Sequence, residues 1–305
     1  MKLITVKEAS KLLDINDQTI RNWLKENKLK NYEDQKGITL LDKSECLRKK
    51  TTVISIFGQK GGISKTSTSI LLSDYFERKG YKILLIDLDQ QANLSKTYFD
   101  YEELKQSYSL YDYIESKISL HKIIKPYNEN IDLLPASIKL ATKDNLDTTV
   151  ALKYKEDFKE ALKKYELVIC DCPPSLNFFS RLGITLSNYI ILPTIPEPFC
   201  LDGLTDAFET MKMVLPLNKD FIDYRLLVSR YESKKTIIKE NNLSILKNDY
   251  QTVLFDNFLP NYVGIIERGV TRDNLFKTKN KMTDSLFALG QEVESFIFEN
   301  RPIKE

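Results

Sequence analysis

A glycine-rich segment, Gln59 to Thr66, carries the residue types that bind a chain of phosphates. It follows an apolar run that ends at Phe57 and precedes a segment with helical spacing. A glycine turn at a helix N-terminus points backbone N–H groups at phosphates, while a lysine reaches the terminal phosphates and a threonine hydroxyl binds Mg²⁺. Lys65 and Thr66 fit the last two roles. The sequence therefore predicts a phosphate-binding loop.

The loop departs from the common pattern G-x-x-x-x-G-K-[ST] at both glycine positions, where Gln59 and Ser64 stand. If the backbone at Ser64 requires a positive φ, the serine costs about 1–2 kcal/mol relative to glycine. A glycine turn with incidental lysines is the alternative interpretation, because short motifs also match by chance. The choice between the two depends on what lies next to the loop.

Acidic residues follow two other apolar runs of the chain. Asp171 comes directly after Leu167 to Cys170, and Asp87 and Asp89 follow Ile83 to Ile86. The carboxyl ends of parallel strands meet at one edge of a sheet, so these carboxylates would lie beside the loop. A carboxylate in that position can hold Mg²⁺ through water. Two acidic strand ends together with a phosphate loop favour a nucleotide site over a chance glycine turn.

The elements that must position these residues alternate along the chain from Thr52 onward. Several apolar runs lack polar alternation, which is typical of a parallel sheet covered on both faces. The repeated order of strand and then helix predicts a doubly wound, mostly parallel α/β domain over residues 51–305. The predicted strands are Val53–Phe57, Ile83–Ile86, Ile131–Leu134, Leu167–Cys170, Tyr189–Leu192 and Leu226–Val228, and the predicted helices include Ser67–Lys79, Lys155–Lys164, Leu201–Leu215 and a closing helix from Met282 to about Glu299.

The first fifty residues have a different organisation. Thr5 and Glu8 form the ends of a capping box that opens a short helix, and a second helix is expected from about Asp17 to Lys25 after a tight turn. The segment from Tyr32 to Leu41 would then form a wing. Residues 1–50 contain twelve Lys and Arg against eight Asp and Glu, a modest excess that suggests an acidic partner.

Several classes of protein are disfavoured by composition. No run reaches the roughly 18 consecutive apolar residues that a membrane span needs, and the N-terminus lacks the apolar segment of a secretion signal. Four scattered cysteines do not predict a disulfide framework, and the single histidine, His121, excludes ordinary Cys/His zinc spacing. We therefore expect a cytoplasmic protein.

Four motifs together resemble the ParA/MinD family of deviant Walker ATPases, and specifically its DNA partition ATPases. The resemblance covers about residues 52 to 298. Its carriers are KGGISKT (Lys60–Thr66), LLIDLDQQANLS (Leu84–Ser95), LVICDCPPSL (Leu167–Leu176) and ILPTIPEPFCLDGL (Ile191–Leu204).

That resemblance implies a P-loop NTPase fold, ATP and Mg²⁺ as cofactors, and a homodimer that forms on ATP binding. It also implies slow hydrolysis that is stimulated by DNA and by a ParB-like centromere-binding protein. Lys60 would reach the partner subunit's phosphates, Lys65 would serve the bound phosphates, and Asp89 would orient the attacking water. By the same resemblance, the nucleotide would contact Lys60, Gly61, Gly62, Ile63, Ser64, Lys65, Thr66, Ser67, Pro193 and Pro196, and Mg²⁺ would be held by Thr66, Asp89 and Asp171.

The N-terminal fifty residues resemble the first part of a MerR-type winged helix-turn-helix, on the basis of Thr5–Leu13 and Gln18–Trp23. The second helix of such a motif enters the major groove of DNA. A small helical oligomerisation module is the alternative, since such folds serve both uses. The exposed DNA-binding candidates are Gln18, Thr19, Arg21, Asn22 and Lys25.

The ATPase domain of this family also binds DNA without sequence preference, which implies association with the nucleoid. By resemblance, Lys234 and Lys235 fall near the basic residues that serve this purpose, and Arg268 and Arg272 are further candidates. A solvated charged face would explain the lysines equally well.

Two other functions compete with DNA partition. A membrane-cycling regulator like MinD should carry Lys and Arg along its last helix, but that helix contains Asp284, Glu292, Glu294 and Glu299, which argues against a membrane partner. A transcriptional repressor that uses ATP only as a sensed ligand is the second alternative. It would not need Asp89 as a water-orienting carboxylate.

Overall fold

In the computed structural model, which describes residues 2–13, 15–231 and 237–298, ten strands form two sheets. The first three strands belong to the N-terminal segment, and the other seven form the large sheet. The strands are β1 Leu3–Thr5, β2 Asn31–Glu33, β3 Thr39–Asp42, β4 Thr52–Ile56, β5 Ile83–Asp87, β6 Lys125–Pro126, β7 Ile131–Leu134, β8 Leu167–Asp171, β9 Tyr189–Thr194 and β10 Asp223–Val228.

Helices connect most of these strands, and 3-10 helices span Ile138–Lys143 and Leu215–Leu217. Within the described ranges, none of the helices is long and apolar enough to cross a bilayer. The α-helices are α1 Val6–Leu13, α2 Asp17–Lys25, α3 Lys43–Arg48, α4 Lys65–Arg78, α5 Asn93–Tyr98, α6 Tyr101–Lys105, α7 Leu110–Ser116, α8 Leu120–Ile123, α9 Thr148–Leu162, α10 Phe178–Leu186, α11 Pro198–Val214, α12 Ile237–Asp249, α13 Val263–Thr271 and α14 Lys281–Phe298.

The large sheet has the strand order β10-β9-β4-β8-β5-β7-β6. Every neighbouring pair in it is parallel except the short edge strand β6, which pairs antiparallel with β7. The predicted mostly parallel sheet is therefore confirmed, and each predicted apolar run forms one of its strands. The order places β4, which leads into the glycine-rich loop, between β8 and β9.

Both faces of this sheet are buried, which explains the apolar runs without alternation. On β4, Ile54 and Ile56 belong to one hydrophobic cluster, whereas Val53 belongs to the other. Leu72 of α4 and Leu286 of α14 lie in the first cluster. Residues of α9, α10 and α11 lie in the second. The strands are thus enclosed between two layers of helices.

The N-terminal segment forms three short helices, α1 to α3, and a small antiparallel sheet with the order β1-β3-β2. The predicted capping box is confirmed, since Thr5 N donates to Glu8 Oε2 at 2.7 Å and Glu8 N donates to Thr5 Oγ1 at 3.2 Å. Asn16 caps α2 by accepting from Thr19 N at 2.8 Å. A β2–β3 hairpin, turned at Gly37 with φ of 75°, occupies the place of the predicted wing.

This segment is joined to the large sheet at the beginning of its strands. Arg48 Nε donates to Glu166 Oε1 at 3.0 Å, and the Arg48 guanidinium carbon lies 3.9 Å from the centre of the Tyr81 ring. Glu166 directly precedes β8, and Tyr81 lies two residues before β5. Helix α3 also contacts α14. The buried residues of the segment therefore continue the hydrophobic cluster on one face of the large sheet.

Helix α13 is oriented against its apolar pattern. Val263, Ile266 and Val270 are exposed, whereas Arg268 is only 2% exposed. Its guanidinium forms two hydrogen bonds to Asp74, Nη2 to Oδ1 at 3.1 Å and Nε to Oδ2 at 3.3 Å. The prediction that Arg268 contacts DNA is therefore wrong, because its charge is paired inside the protein.

The pair of Arg268 and Asp74 should be a major determinant of stability. Arg268→Ala leaves the Asp74 carboxylate buried without its partner, so we expect a loss of about 3–5 kcal/mol in the free energy of unfolding, measured by urea denaturation. The matched control is Arg272→Ala at the end of the same helix, where the guanidinium pairs with the exposed Asp100 and the expected loss is about 0–1 kcal/mol. Equal losses in the two variants would contradict the structural role of Arg268.

Candidate functional site

The glycine-rich loop leads from β4 into α4, and its backbone is left-handed at two positions. Gly62 has φ of 78° and Ser64 has φ of 68°. Glycine adopts this conformation without strain, whereas serine does so at a cost of about 1–2 kcal/mol. The positive φ that makes a serine costly at this position is therefore present at Ser64. Strain is thus built into the turn that begins α4.

The first turn of α4 presents donors that the helix itself cannot satisfy. The first intrahelical bond runs from Thr68 N to Ser64 O at 2.9 Å, and the Ser64 side chain makes no capping bond. The N–H groups of Lys65, Thr66 and Ser67 therefore point out of the helix end. Such an end attracts an anion, because its N–H groups and the helix dipole both favour negative charge.

Lys65 is held within this loop. It is 7% exposed, and its ammonium donates to Lys60 O at 3.0 Å. Burial lowers the pKa of Lys65, while the nearby carboxylates of Asp171 and Asp89 oppose that shift. The ammonium is thus held against the backbone of the loop.

Asp171 joins the end of β8 to the first turns of α4. Its Oδ2 accepts from Thr66 Oγ1 at 2.7 Å, and its Oδ1 accepts from Ser69 Oγ at 3.1 Å. Burial raises the pKa of Asp171 to about 6, against the opposing effects of Thr66 and Lys65. Two of the three residues predicted to serve Mg²⁺, Thr66 and Asp171, are therefore in direct contact.

Asp87 lies beside Asp171 in the parallel register of β5 and β8. It is fully buried, and its Oδ2 accepts from Ser95 N at 2.8 Å and from Ser95 Oγ at 2.7 Å. Its Oδ1 accepts from Asp89 N at 3.1 Å. Burial first, and then the charge of Asp171, raise the pKa of Asp87 to about 8. Asp87 is therefore a protonated, structural carboxyl at neutral pH that fixes the backbone of Asp89.

Asp89, two residues beyond the last residue of β5, is more accessible than Asp87. It is 9% exposed, and its Oδ1 accepts from Gln91 N at 2.9 Å, which orients the carboxylate. Its charge acts on both Lys65 and Asp171. The structure thus brings together the loop, the lysine and both acidic strand ends that the sequence placed at one edge of the sheet.

The arrangement fits a Mg²⁺ nucleotide. Carboxylate and hydroxyl oxygens are the ligands that Mg²⁺ takes alongside phosphates and water, and Thr66 and Asp171 offer them at the end of the loop. Among the described residues, three buried polar atoms near this edge lack a hydrogen-bond partner, namely Gln59 Nε2, Gln90 Oε1 and Thr194 Oγ1. Buried polar atoms are normally paired, so a polar ligand at this edge would explain them. Pro193 and Pro196, expected to border the base, are buried at and just beyond the end of β9.

Residues that sequence reasoning missed also contact the loop. Ser229 Oγ donates to Ile63 O at 2.9 Å, and Arg230 Nη1 donates to Gly62 O at 3.4 Å. Both residues directly follow β10, whose apolar run Leu226 to Val228 was recognised as a strand. The rule that polar residues at strand ends form the site could have found them.

The predicted DNA-binding residues lie elsewhere. Gln18, Arg21, Asn22 and Lys25 are exposed on α2, and Gln18 Nε2 donates to Asn22 Oδ1 at 3.0 Å. Thr19 is half-buried, and its hydroxyl donates to Asn16 Oδ1 at 2.9 Å, so it serves the helix cap. Arg272 is partly exposed and pairs with Asp100, while Lys234 and Lys235 fall outside the described residues.

The raised pKa of Asp87 predicts a measurable pH dependence. Folded Asp87 keeps its proton up to about pH 8, whereas an unfolded aspartate loses it near pH 4. The folded chain binds more protons in between, so this residue makes stability fall as pH rises. Asp87→Asn should therefore flatten the decline in unfolding free energy between about pH 6 and 8, a range that lies above the pKa of Asp171. The altered hydrogen bonds should also lower the unfolding free energy by about 1–3 kcal/mol at every pH. An unchanged slope in urea unfolding would contradict a protonated Asp87.

Comparisons with known proteins agree with this geometry. A protein-family model described as "AAA domain" matches residues 51–221. The sporulation initiation inhibitor protein Soj of Bacillus subtilis (strain 168) is 29% identical over 211 residues, which cover 66% of this chain and 83% of that protein. The chromosome partitioning protein ParA of Caulobacter vibrioides is 27% identical over 221 residues, 70% of this chain and 82% of that protein.

Two solved structures are similar in fold. A putative plasmid partition protein from Borrelia burgdorferi B31, bound to AMPPNP, superposes with a TM-score of 0.65 at 22% identity and covers 82% of this chain and 100% of its own. Cobyrinic acid a,c-diamide synthase from Mycobacterium smegmatis, with bound ADP and magnesium, gives a TM-score of 0.67 at 21% identity, with 82% and 97% covered. At these identities the likeness concerns the fold alone. Because the matching family model spans more than half of the sequence, this chain belongs to the AAA domain family of P-loop NTPases.

Proposed function

We propose that this chain is a Mg²⁺-dependent ATPase of the DNA partition type, which dimerises on ATP binding and hydrolyses ATP slowly. The observation that carries the proposal is the contact of Thr66 with Asp171, which ties the phosphate loop to an acidic strand end beside Asp87 and Asp89. The names of the Soj and ParA relatives support partition as the process served.

In this proposal the loop and the first turn of α4 bind the phosphates, and Lys65 neutralises the terminal ones. Thr66 and Asp171, with Asp89 nearby, would hold Mg²⁺, which supplies electrostatic stabilisation of the charge that develops on the transferred phosphoryl group. The backbone N–H groups of Lys65 to Ser67 are fixed in place before ATP arrives, so little reorganisation accompanies binding.

Asp89 orients the attacking water. Its bond to Gln91 N and the support of its own backbone by Asp87 fix the carboxylate at the end of β5. A sensor of ATP would not need such a group, so Asp89 favours turnover over pure sensing. By family resemblance, Lys60 reaches the nucleotide of the partner subunit once two chains close on ATP.

The environment of α14 supports partition over a membrane-cycling function. Its apolar residues Leu286, Leu289 and Val293 are buried in the core. Glu294 accepts hydrogen bonds from Tyr75 and Tyr81, at 2.6 Å and 2.9 Å. An amphipathic membrane anchor needs an apolar face that is free to enter the bilayer. The apolar face of this helix is already covered by protein.

Residues 1–50 form, in this proposal, a winged helix-turn-helix domain that binds a specific DNA site, and residues 51–305 form the ATPase domain. The support is the exposed polar face of α2, with Gln18, Arg21 and Asn22, followed by the β2–β3 hairpin. An exposed helix face of this kind suits the major groove. The oligomerisation module remains the competing function for this segment.

The ATPase domain would bind DNA without sequence preference through Lys234, Lys235 and Arg272, and would meet a ParB-like centromere-binding protein on the nucleoid, in the cytoplasm. Basic side chains that contact only phosphates give affinity without sequence preference. Dimerisation places two copies of each weak basic patch on one DNA molecule. The DNA affinity then rises, because the second contact forms at a high effective concentration.

The role of Asp89 can be separated from nucleotide binding. Asp89→Asn keeps the acceptor for Gln91 N but removes the negative charge, so we expect ATP affinity close to the parent and a turnover reduced by about 10²–10⁴-fold. Steady-state phosphate release and a direct ATP titration measure the two quantities. Lys65→Ala is the contrast. It removes the positive charge that faces the phosphates and should abolish ATP binding itself. Parental turnover by Asp89→Asn would eliminate Asp89 as the catalytic group.

The two proposed DNA activities should respond to different substitutions. Asn22→Ala removes a group that can reach base edges, so it should cost about 1–3 kcal/mol on a duplex that the parent has selected from a random pool. It should leave binding to scrambled DNA nearly unchanged. Replacing Lys234 and Lys235 by Glu should weaken ATP-dependent binding to every duplex and make its salt dependence shallower.

Binding isotherms on both duplexes, with and without ATP, provide the measurement. If the parent enriches no duplex, and a chain lacking residues 1–50 instead loses self-association, the N-terminal segment is the oligomerisation module. Loss of ATP-dependent binding to scrambled DNA in that shortened chain, with the lysine variant unaffected, would also contradict the division proposed here.

A further inference from the structure

The residues that follow β10 reach across the end of β9 to the phosphate loop. Ser229 N donates to Thr194 O at 2.7 Å, and Ser229 Oγ donates to Ile63 O at 2.9 Å. The neighbouring side chains of Ile63 and Ile195 are buried together. The inner side of the loop is therefore closed by β9 and β10, and the exposed glycines Gly61 and Gly62 form its outer rim.

Arg230 stands at this rim in a strained conformation. Its φ is 51°, in the left-handed region that an arginine enters at a cost of about 1–2 kcal/mol. The side chain is exposed, and its Nη1 lies 3.4 Å from Gly62 O and 3.7 Å from the position that a Cβ on Gly62 would take. Left-handed non-glycine residues cluster at ligand sites, where strain is part of the preorganisation. The backbone here directs a guanidinium to the loop.

The chemistry of the group suits an anionic ligand. A guanidinium offers five N–H donors in a plane, and the bond to Gly62 O uses one of them. Arginine binds phosphate oxygens through two parallel N–H donors, whereas a contact with a carbonyl oxygen needs only one. The remaining donors belong to an exposed side chain beside the loop, where they are available to an anionic ligand.

We propose that Arg230 is a nucleotide-contacting residue, whose guanidinium binds phosphate oxygens of the nucleoside triphosphate held by the Lys60–Thr66 loop. The inference rests on the proposed function, because it needs a nucleotide in that loop. It assigns to the end of β10 a share of the nucleotide affinity, alongside Lys65 and the helix end.

Two variants separate a contact with the nucleotide from a purely structural role. Arg230→Gln keeps an amide donor on a shorter side chain but has no charge, so it should weaken ATP binding by about tenfold, near the usual worth of one charge-assisted hydrogen bond. The dependence of ATP affinity on salt should become shallower as well, because one cation fewer faces the phosphates. Arg230→Gly should relieve the left-handed strain and raise the melting temperature while also weakening ATP binding.

The matched control is Lys117→Gly. Lys117 is likewise an exposed cation with a left-handed backbone, φ of 52°, and it ends α7 outside the site. The Lys117→Gly substitution should raise the melting temperature with no change in ATP affinity. The full-length chain is used throughout, with isothermal titration of ATP at several salt concentrations and thermal unfolding without nucleotide.

The outcomes are distinct. Parental affinity and salt dependence in both Arg230 variants would overturn the inference while leaving the proposed function intact. Weaker binding by Arg230→Gln with the parental salt dependence would show that Arg230 only holds the loop, which also overturns it. Failure of the parent itself to bind ATP would overturn the proposed function and this inference together.

Discussion

The parallel pairing of β5 with β8 is the constraint on which the candidate site depends. It sets Asp87 and Asp171 side by side at the carboxyl edge of the sheet, and both side chains are almost completely buried. Burial first, and then the neighbouring charge of Asp171, raise the pKa of Asp87 to about 8. Its hydrogen bonds to Ser95 and to the backbone of Asp89 fix the turn after β5. Asp171 is thereby left to face Thr66 and α4.

Backbone strain is also present at this edge. Of the six described residues other than glycine that have a positive φ, three lie here: Ser64 directly before α4, Ala92 directly before α5 and Arg230 after β10. Each of these positions redirects the chain from the end of a strand of the large sheet into the segment that follows. The rest of the fold must stabilise these turns, since none of the three residues favours its conformation. Burial on both faces of the sheet provides that stabilisation.

Much of the fold followed from the sequence, because buried parallel strands leave continuous apolar runs and the Thr5–Glu8 capping box has a local signature. The acidic strand ends were placed correctly for the same reason. Arg268 was misassigned because α13 buries an arginine and exposes valines, and its partner Asp74 lies 194 residues earlier in the chain. The contacts of Ser229 and Arg230 with the loop join segments more than 160 residues apart, so only the general rule of polar residues at strand ends points to these two residues. Spacing within a short window cannot report such pairs.

The contacts between the N-terminal segment and the large sheet determine where that segment lies relative to the candidate site. Arg48 is anchored through Glu166 and Tyr81, which precede strands, whereas the phosphate loop and its carboxylates follow strands. The two surfaces therefore lie at opposite poles of the sheet, separated by the length of a five-residue strand, roughly 17 Å. If two chains met face to face at their nucleotide edges, their N-terminal segments would be carried to the far ends of the assembly. If those segments bind DNA, as proposed, the two duplexes would be kept apart by the full depth of both sheets.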